Sequence, residues 1–261
     1  MNKSPEKMSQ IQRWILAARP RTLPAAIAPV LVAWGLAIKF NAFRLDIALV
    51  LLSIALLLQI NANLINDVID YQKGLDTVER LGPTRVTQAG LLTPRQVWSG
   101  VVIVFALAAF AGLYLTLTAG LPVILMGLAA FMGALVYSTG PYPLAYKGLG
   151  ELAVMAFFGF LAVCGSVFVF MGSVPALAWW CATAVGALIV NILVVNNLRD
   201  IDSDRTAGRR NIPVVFGYRG GEIEYISMQV VAYMIPLLLW ISGLAGIAVL
   251  LPWLTLWYAF G

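Results

Sequence analysis

No histidine occurs anywhere in the chain of 261 residues. That removes the commonest general base and the usual zinc ligand together, so any proton transfer falls to a carboxylate, a tyrosine, a lysine or a substrate oxygen. Cysteine is almost as scarce. Cys164 and Cys181 are the only two, and both fall in apolar stretches, where they read as small core residues and not as a disulfide framework. Charge is thin as well, at 11% of residues. No glycine-rich phosphate loop, nucleophile elbow or Cys/His metal set is present.

What remains is apolar. Hydrophobic residues make up 61% of the chain and the mean hydropathy is +0.88, a composition that fits a polytopic membrane protein. Apolar runs bounded by Gly, Pro and charge predict eight spans, near 20–39, 46–66, 97–117, 121–138, 151–171, 176–198, 225–243 and 245–261. Residues 1–19 are polar and of mixed charge, which predicts a cytoplasmic arm with an interfacial helix from Ile11 to Ala18 and no cleaved signal peptide. The fold class expected is all-α, a single transmembrane helical bundle over 1–261.

The basic residues set the orientation. Fifteen of the seventeen, from Lys3, Lys7, Arg13, Arg19 and Arg21 through Lys73, Arg80, Arg85, Arg95 and Lys147 to Arg199, Arg205, Arg209, Arg210 and Arg219, fall on one side of the predicted spans. Only Lys39 and Arg44 fall on the other. The positive-inside rule places the richer side, with the N-terminus, in the cytoplasm, and suggests the plasma or inner membrane of a prokaryote. The net charge of +5 then means anchoring and phosphate binding, with nothing to suggest nucleic acid.

The acids are grouped. Asp67, Asp70 and Asp76 follow the second predicted span, and Asp200, Asp202 and Asp204 follow the sixth, six of the chain's twelve carboxylates. Ionised groups at a membrane border are costly and usually functional, and two facing sets of oxygen ligands suit a hard cation such as Mg²⁺ bridging a polyphosphate. Asn66 and Asp70 are four residues apart, and Asn196, Asp200 and Asp204 form an i, i+4, i+8 row, so each set is expected to project from one helix face into a shared cavity. Gly74 is expected to break the first helix and let Asp76 fold back as a loop ligand. Each segment closes an even-numbered span, which predicts two related halves of parallel topology around a central cavity. A secondary transporter remains an alternative, although its carboxylates belong in mid-span and these lie at span ends beside arginines.

These residues resemble the UbiA-type membrane prenyltransferases, and within them the 1,4-dihydroxy-2-naphthoate prenyltransferases of menaquinone and phylloquinone synthesis. Arg19-Pro20-Arg21-Thr22-Leu23-Pro24 is similar to the family's opening of the first span. Asn66-Asp67-x-x-Asp70 through Gly74 to Asp76 is similar to the first aspartate motif, and Asn197-x-Arg199-Asp200-x-x-x-Asp204 to the second. Glu79-Arg80-x-Gly82-Pro83-x-Arg85, Gln88-Ala89-Gly90 and the stretch Gly140 to Glu151 carry the likeness to the naphthoate branch. There are departures. The family has nine spans against eight counted, so the ninth is either absent from the sequence or missed in the count. Tyr142-Pro143-Leu144-Ala145-Tyr146-Lys147-Gly148 lacks the arginine of the hydroxybenzoate branch's Tyr-Pro-x-x-Lys-Arg, which argues against hydroxybenzoate as acceptor. Asn211 stands where threonine is common after the basic pair.

The resemblance implies Mg²⁺-dependent transfer of a polyprenyl group from its diphosphate to the naphthoate, with loss of CO₂ and diphosphate. Chlorophyll, tocopherol and haem-type acceptors are the alternatives. Asp70 and Asp76 would hold one Mg²⁺ and Asp200 and Asp204 a second, with Asn66 and Asn197 as neutral ligands or orienting groups. Arg80, Arg85, Arg199 and Arg209 are candidate diphosphate clamps, or else positive-inside anchors. Tyr71, Tyr137, Tyr142 and Tyr146 are candidates to shield an allylic cation, or else an interfacial belt. Lys147 is a candidate grip on the acceptor's carboxylate or a topology anchor, and Asp67 and Glu151 are possible bases.

Overall fold

A computed structural model describes residues 8–74 and 84–257. Helix α1 (Gln10–Ala18) opens on a capping box in which the Ser9 hydroxyl accepts from the Gln12 amide and the Gln12 side chain accepts from the Ser9 amide. Arg19 adopts φ 51°, a left-handed residue that ends α1. A single 3₁₀ turn, Pro20–Thr22, leads into α2 (Pro24–Lys39), bent 55° from the arm before it. Proline at the start of α2 costs nothing, because the first amides of a helix lack partners anyway.

Helix α3 (Leu45–Gln72) runs 28 residues, about 42 Å at 1.5 Å per residue, so it outruns the roughly 30 Å hydrocarbon layer. Its last turns carry Asn66, Asp67 and Asp70. Gly74 (φ 67°) follows at once, the helix break expected there. Next come α4 (Pro94–Ala119), capped by Thr93, and α5 (Pro122–Ser138). A 3₁₀ turn, Leu144–Tyr146, precedes α6 (Gly150–Val154), which passes through a π segment, Met155–Leu161, into α7 (Ala162–Met171) as one 22-residue span. The chain continues through α8 (Ala176–Arg199), the short α9 (Ile201–Thr206) and α10 (Ile212–Ile241), whose backbone kinks at Gly217.

The described residues thus form an all-helical bundle in which five helices, or six counting the bent α1–α2 pair, have the length and apolarity to cross a membrane. Helix α5, at 17 residues, falls short of that length. The predicted span 225–243 is the second part of α10, which begins thirteen residues earlier. The expected span 245–261 differs more. Its described part is a 3₁₀ segment, Ile247–Thr255, with Pro252 inside it, and Trp253 donates from its indole to the Tyr233 carbonyl of α10 at 2.9 Å.

Packing is most extensive between α8 and α10 and between α3 and α4. Small residues set the closest approaches, as in membrane bundles generally. A Cβ on Gly159 would lie 3.1 Å from the Gly186 Cα, and one on Gly133 would strike the Phe157 ring. The cysteines are free and lie in the packed region around α7 and α8.

Candidate active site

The two acid segments meet at one end of the bundle. Asp70, 5% exposed, accepts from Arg85 Nη2 at 2.5 Å. Its other oxygen lies 3.5 Å from Arg209 Nη2, and Arg209 Nη1 lies 3.4 Å from an Asp204 oxygen. One guanidinium therefore straddles carboxylates from both segments. Burial works against the Arg209 charge, yet Asp70 and Asp204 beside it raise its pKa above the ordinary arginine value.

Asp204 is also buried and accepts from Asn211 Nδ2 at 2.8 Å, while Asn211 Oδ1 caps α10 by accepting from the Val214 amide at 2.9 Å. Asn211 thus ties the acid to the start of α10 with the two ends of one amide. Asp200 sits in the break between α8 and α9, at φ −100° and ψ 16°. The i, i+4, i+8 row expected on one helix is therefore interrupted, and the Asp200 carboxylate is gripped by the neighbouring Arg199, at 2.7 Å to Nε and 2.6 Å to Nη2.

A tyrosine ring joins the cluster. Tyr146 lies under two cations, Arg209 at 5.0 Å and Lys73 at 4.7 Å from its centroid, which suits the negative face of the ring. Burial pushes its hydroxyl pKa up, against the pull of Arg209. Lys73 also donates to the Ser138 carbonyl at 2.6 Å, and the Ser138 hydroxyl donates to Asn66 Oδ1. The loop carrying Tyr146 is pinned to the loop carrying Arg209 by the Arg210 amide, which donates to the Tyr146 carbonyl at 3.2 Å.

Other candidates lie apart from this cluster. Asp67 turns to the 84–92 loop, where it accepts from the amides of Val86 and Thr87, each at 3.0 Å, and from the Thr87 hydroxyl, with Arg19 at 3.7 Å. Its oxygens are thus engaged in holding a loop, an arrangement unlike that of an accessible base. Asn197 donates to Glu151 Oε1 at 3.0 Å. Lys147 rests over the Tyr142 ring at 5.2 Å, and both are exposed. Asp76 and Arg80 lie outside the described residues. Lys73 and Ser138 were missed by sequence reasoning. The nearness of Lys73 to Asp70 was a usable signal for the first, and nothing in the sequence marks the second.

Behind the cluster, apolar space runs down the first half of the bundle. A cavity of about 270 Å³ starts at Asn66 and Tyr137, and a second of about 380 Å³ continues toward Val30, Leu51, Val123 and Val169. The two share Ala55, Leu58, Ala130, Phe157 and Ala162 in their walls. The polar residues lining the upper cavity are Gln59, Asn63, Asn66 and Tyr137, and Asn66 is one helical turn before Asp70.

The UbiA prenyltransferase family model matches residues 26–261. The chain belongs to that family. It is a prenyltransferase by membership, which sets the transport alternative aside. Several relatives carry the name 1,4-dihydroxy-2-naphthoate octaprenyltransferase, among them one from Mycobacterium tuberculosis and one from Escherichia coli. The one from Mycobacterium tuberculosis is 37% identical over 90% of this chain and 80% of its own length. The one from Escherichia coli is 37% identical over 81% of this chain and 71% of its own. Among solved structures, a UbiA homolog from Archaeoglobus fulgidus bound to GPP and Mg²⁺ superposes with a TM-score of 0.71 at 20% identity, covering 95% of this chain and 86% of that one. At that identity the likeness shows the fold.

Proposed function

We propose that this protein transfers a prenyl group from a prenyl diphosphate to 1,4-dihydroxy-2-naphthoate, with release of diphosphate and CO₂. The observation that carries the reading is the Arg209 guanidinium shared by Asp70 and Asp204, with an apolar cavity that begins at Asn66, one turn before Asp70. A prenyl diphosphate has the matching shape of charge, a polyanionic head and a long apolar tail. The names of the relatives and the GPP and Mg²⁺ bound by the archaeal homolog support the donor, the acceptor and the metal.

The donor set fits Mg²⁺. Asp70, Asp200 and Asp204, with Asn66 and Asn197, offer oxygen ligands only. Mg²⁺ typically takes one or two protein carboxylates and completes its shell with phosphate oxygens and water. Asp70 and Asp76 would hold one ion and Asp200 and Asp204 a second. Bound there, Mg²⁺ neutralises the charge of the departing diphosphate.

The protein's own groups do the rest. Arg209, Arg85 and Arg199, each engaged with a carboxylate, are placed to transfer their donors to diphosphate oxygens, with Arg80 as a further clamp. The donor's C–O bond breaks with its electrons leaving on diphosphate. Tyr146 presents a ring face already suited to a cation. The acceptor carbon that bears the carboxylate forms the new C–C bond, and loss of CO₂ returns an electron pair to the ring. Lys147, with Tyr142, holds the acceptor carboxylate until that step.

The reading places this end of the bundle in the cytoplasm. Membranes incubated with Mg²⁺, dihydroxynaphthoate and labelled prenyl diphosphates of several lengths should yield a product whose mass equals naphthoate plus prenyl minus CO₂. Product formed only with a different aromatic acceptor overturns the assignment.

A further inference from the structure

Helix α10 carries a carboxyl group that the reaction above leaves unused. Glu224 is 8% exposed, on a helix long and apolar enough to cross the membrane. Its Oε2 is buried with no hydrogen-bond partner among the described residues. A buried carboxyl oxygen without a hydrogen-bond partner is a standing cost to the fold, so its presence calls for a ligand that donates to it.

Packing fixes where Glu224 lies. Gly221 meets Leu198, where a Cβ on the glycine would come 2.5 Å from the leucine side chain. One turn on, Asn191 of α8 donates to the Tyr225 carbonyl at 3.1 Å. Glu224 therefore sits between these contacts, at the level just inside Asn197, which in turn holds Glu151 Oε1 at 3.0 Å. Two further buried acceptors on the same seam, Asn191 Oδ1 and Gln229 Oε1, also lack partners among the described residues. The α8–α10 seam thus carries three buried acceptor oxygens without partners among the described residues.

We propose that Glu224 accepts a hydrogen bond from the ring hydroxyl that lies away from the carboxylate of a dihydroxyarene acceptor, and so selects for a hydroxylated ring. This rests on the acceptor reading above and adds the residue that would enforce it. The complementarity is two-sided. The acceptor's carboxylate is anionic and matches Lys147, whereas the hydroxyl remote from it is a donor and matches Glu224. A site built to bond a substrate hydroxyl discriminates strongly against the analogue that lacks it.

The test uses the full chain in membranes, with KM measured separately for dihydroxynaphthoate and for prenyl diphosphate. Glu224→Leu should raise the acceptor KM roughly 10- to 100-fold with the donor KM nearly unchanged. Glu224→Gln, whose carbonyl still accepts, should recover most of the loss. A purely structural Glu224 predicts instead that the apolar replacement is neutral in both KM values. An unchanged acceptor KM in the Leu variant, an equal rise in both, or a Gln variant no better than Leu overturns the proposal. Should the Leu variant fail to accumulate, competition on the wild type decides. A 2-naphthoate without hydroxyls must inhibit at least tenfold more weakly than the diol binds, and equal affinity overturns the proposal. Wild-type protein that turns over no dihydroxynaphthoate refutes the acceptor reading and this inference with it, whereas wild-type turnover with an indifferent Glu224 refutes this inference alone.

Discussion

Carboxylates pair with guanidinium groups at both ends of the bundle, and the two ends could hardly differ more in consequence. At one end Arg44 grips Asp46 at 2.6 Å, with the Tyr114 hydroxyl donating to the same carboxylate, and all three are exposed. At the other, Asp70, Arg85 and Asp204 are each about 5% exposed, and Arg209 reaches from one acid to the other. Water screens the first set, so its geometry is good and its worth small. The second set has given up its water, so each partner is needed and each charge is available to a ligand that offers better. Distances between charged atoms do not separate the two ends; burial does.

That contrast breaks most sharply if the buried acids prove dispensable. Asp70→Ala and Asp200→Ala should each abolish turnover in protein that still inserts and folds, and near-normal Mg²⁺-dependent activity in either would remove the two-segment site. Arg209→Lys keeps the charge but loses the planar fork that spans two carboxylates, so turnover should fall roughly 10²-fold, and a fall of less than about threefold would make Arg209 a topology anchor. Asp67→Asn should act on stability, since one of its oxygens accepts from both an amide and a hydroxyl of the 84–92 loop. A loss of about 2–3 kcal/mol, read from denaturant unfolding, is expected with KM values unchanged in the folded fraction. Lys147→Ala should raise the acceptor KM several-fold and leave the prenyl diphosphate KM alone, whereas equal effects would place it with the diphosphate clamp. Asp46→Asn, at the exposed end, should change neither turnover nor melting temperature, and any loss of activity there would show the two ends to be coupled.

The membrane class, the helical fold and the family were legible because they rest on long apolar runs and on spaced motifs, both of which survive without tertiary knowledge. The end of α3 was legible too, since Gly74 after an acid pair is a local signal. Three features were not. The span expected at 245–261 is a 3₁₀ segment in its described part, where Pro252 interrupts a run whose hydropathy alone looked sufficient. Asp200 leaves the helical row because α8 ends at Arg199, and the bidentate grip between those neighbours is a local geometry that spacing does not encode. Asp67 stands beside Asn66 in the first motif and faces another way, because adjacent residues on a helix point about 100° apart and only packing tells which direction is the site.

The bridge from Asp70 to Arg209 also bears on how the chain is made. The two residues are 139 positions apart, whereas Arg85 follows Asp70 by only 15. As synthesis proceeds from the N-terminus, Asp70 enters the membrane border on the order of ten seconds before Arg209 exists. Arg85 is therefore the early companion that keeps a buried acid neutralised while the second half of the bundle is still to come. Arg209 arrives last and closes the site, so an Arg85 variant should lose yield of inserted protein during biogenesis, whereas an Arg209 variant should insert normally and fail only in its chemistry.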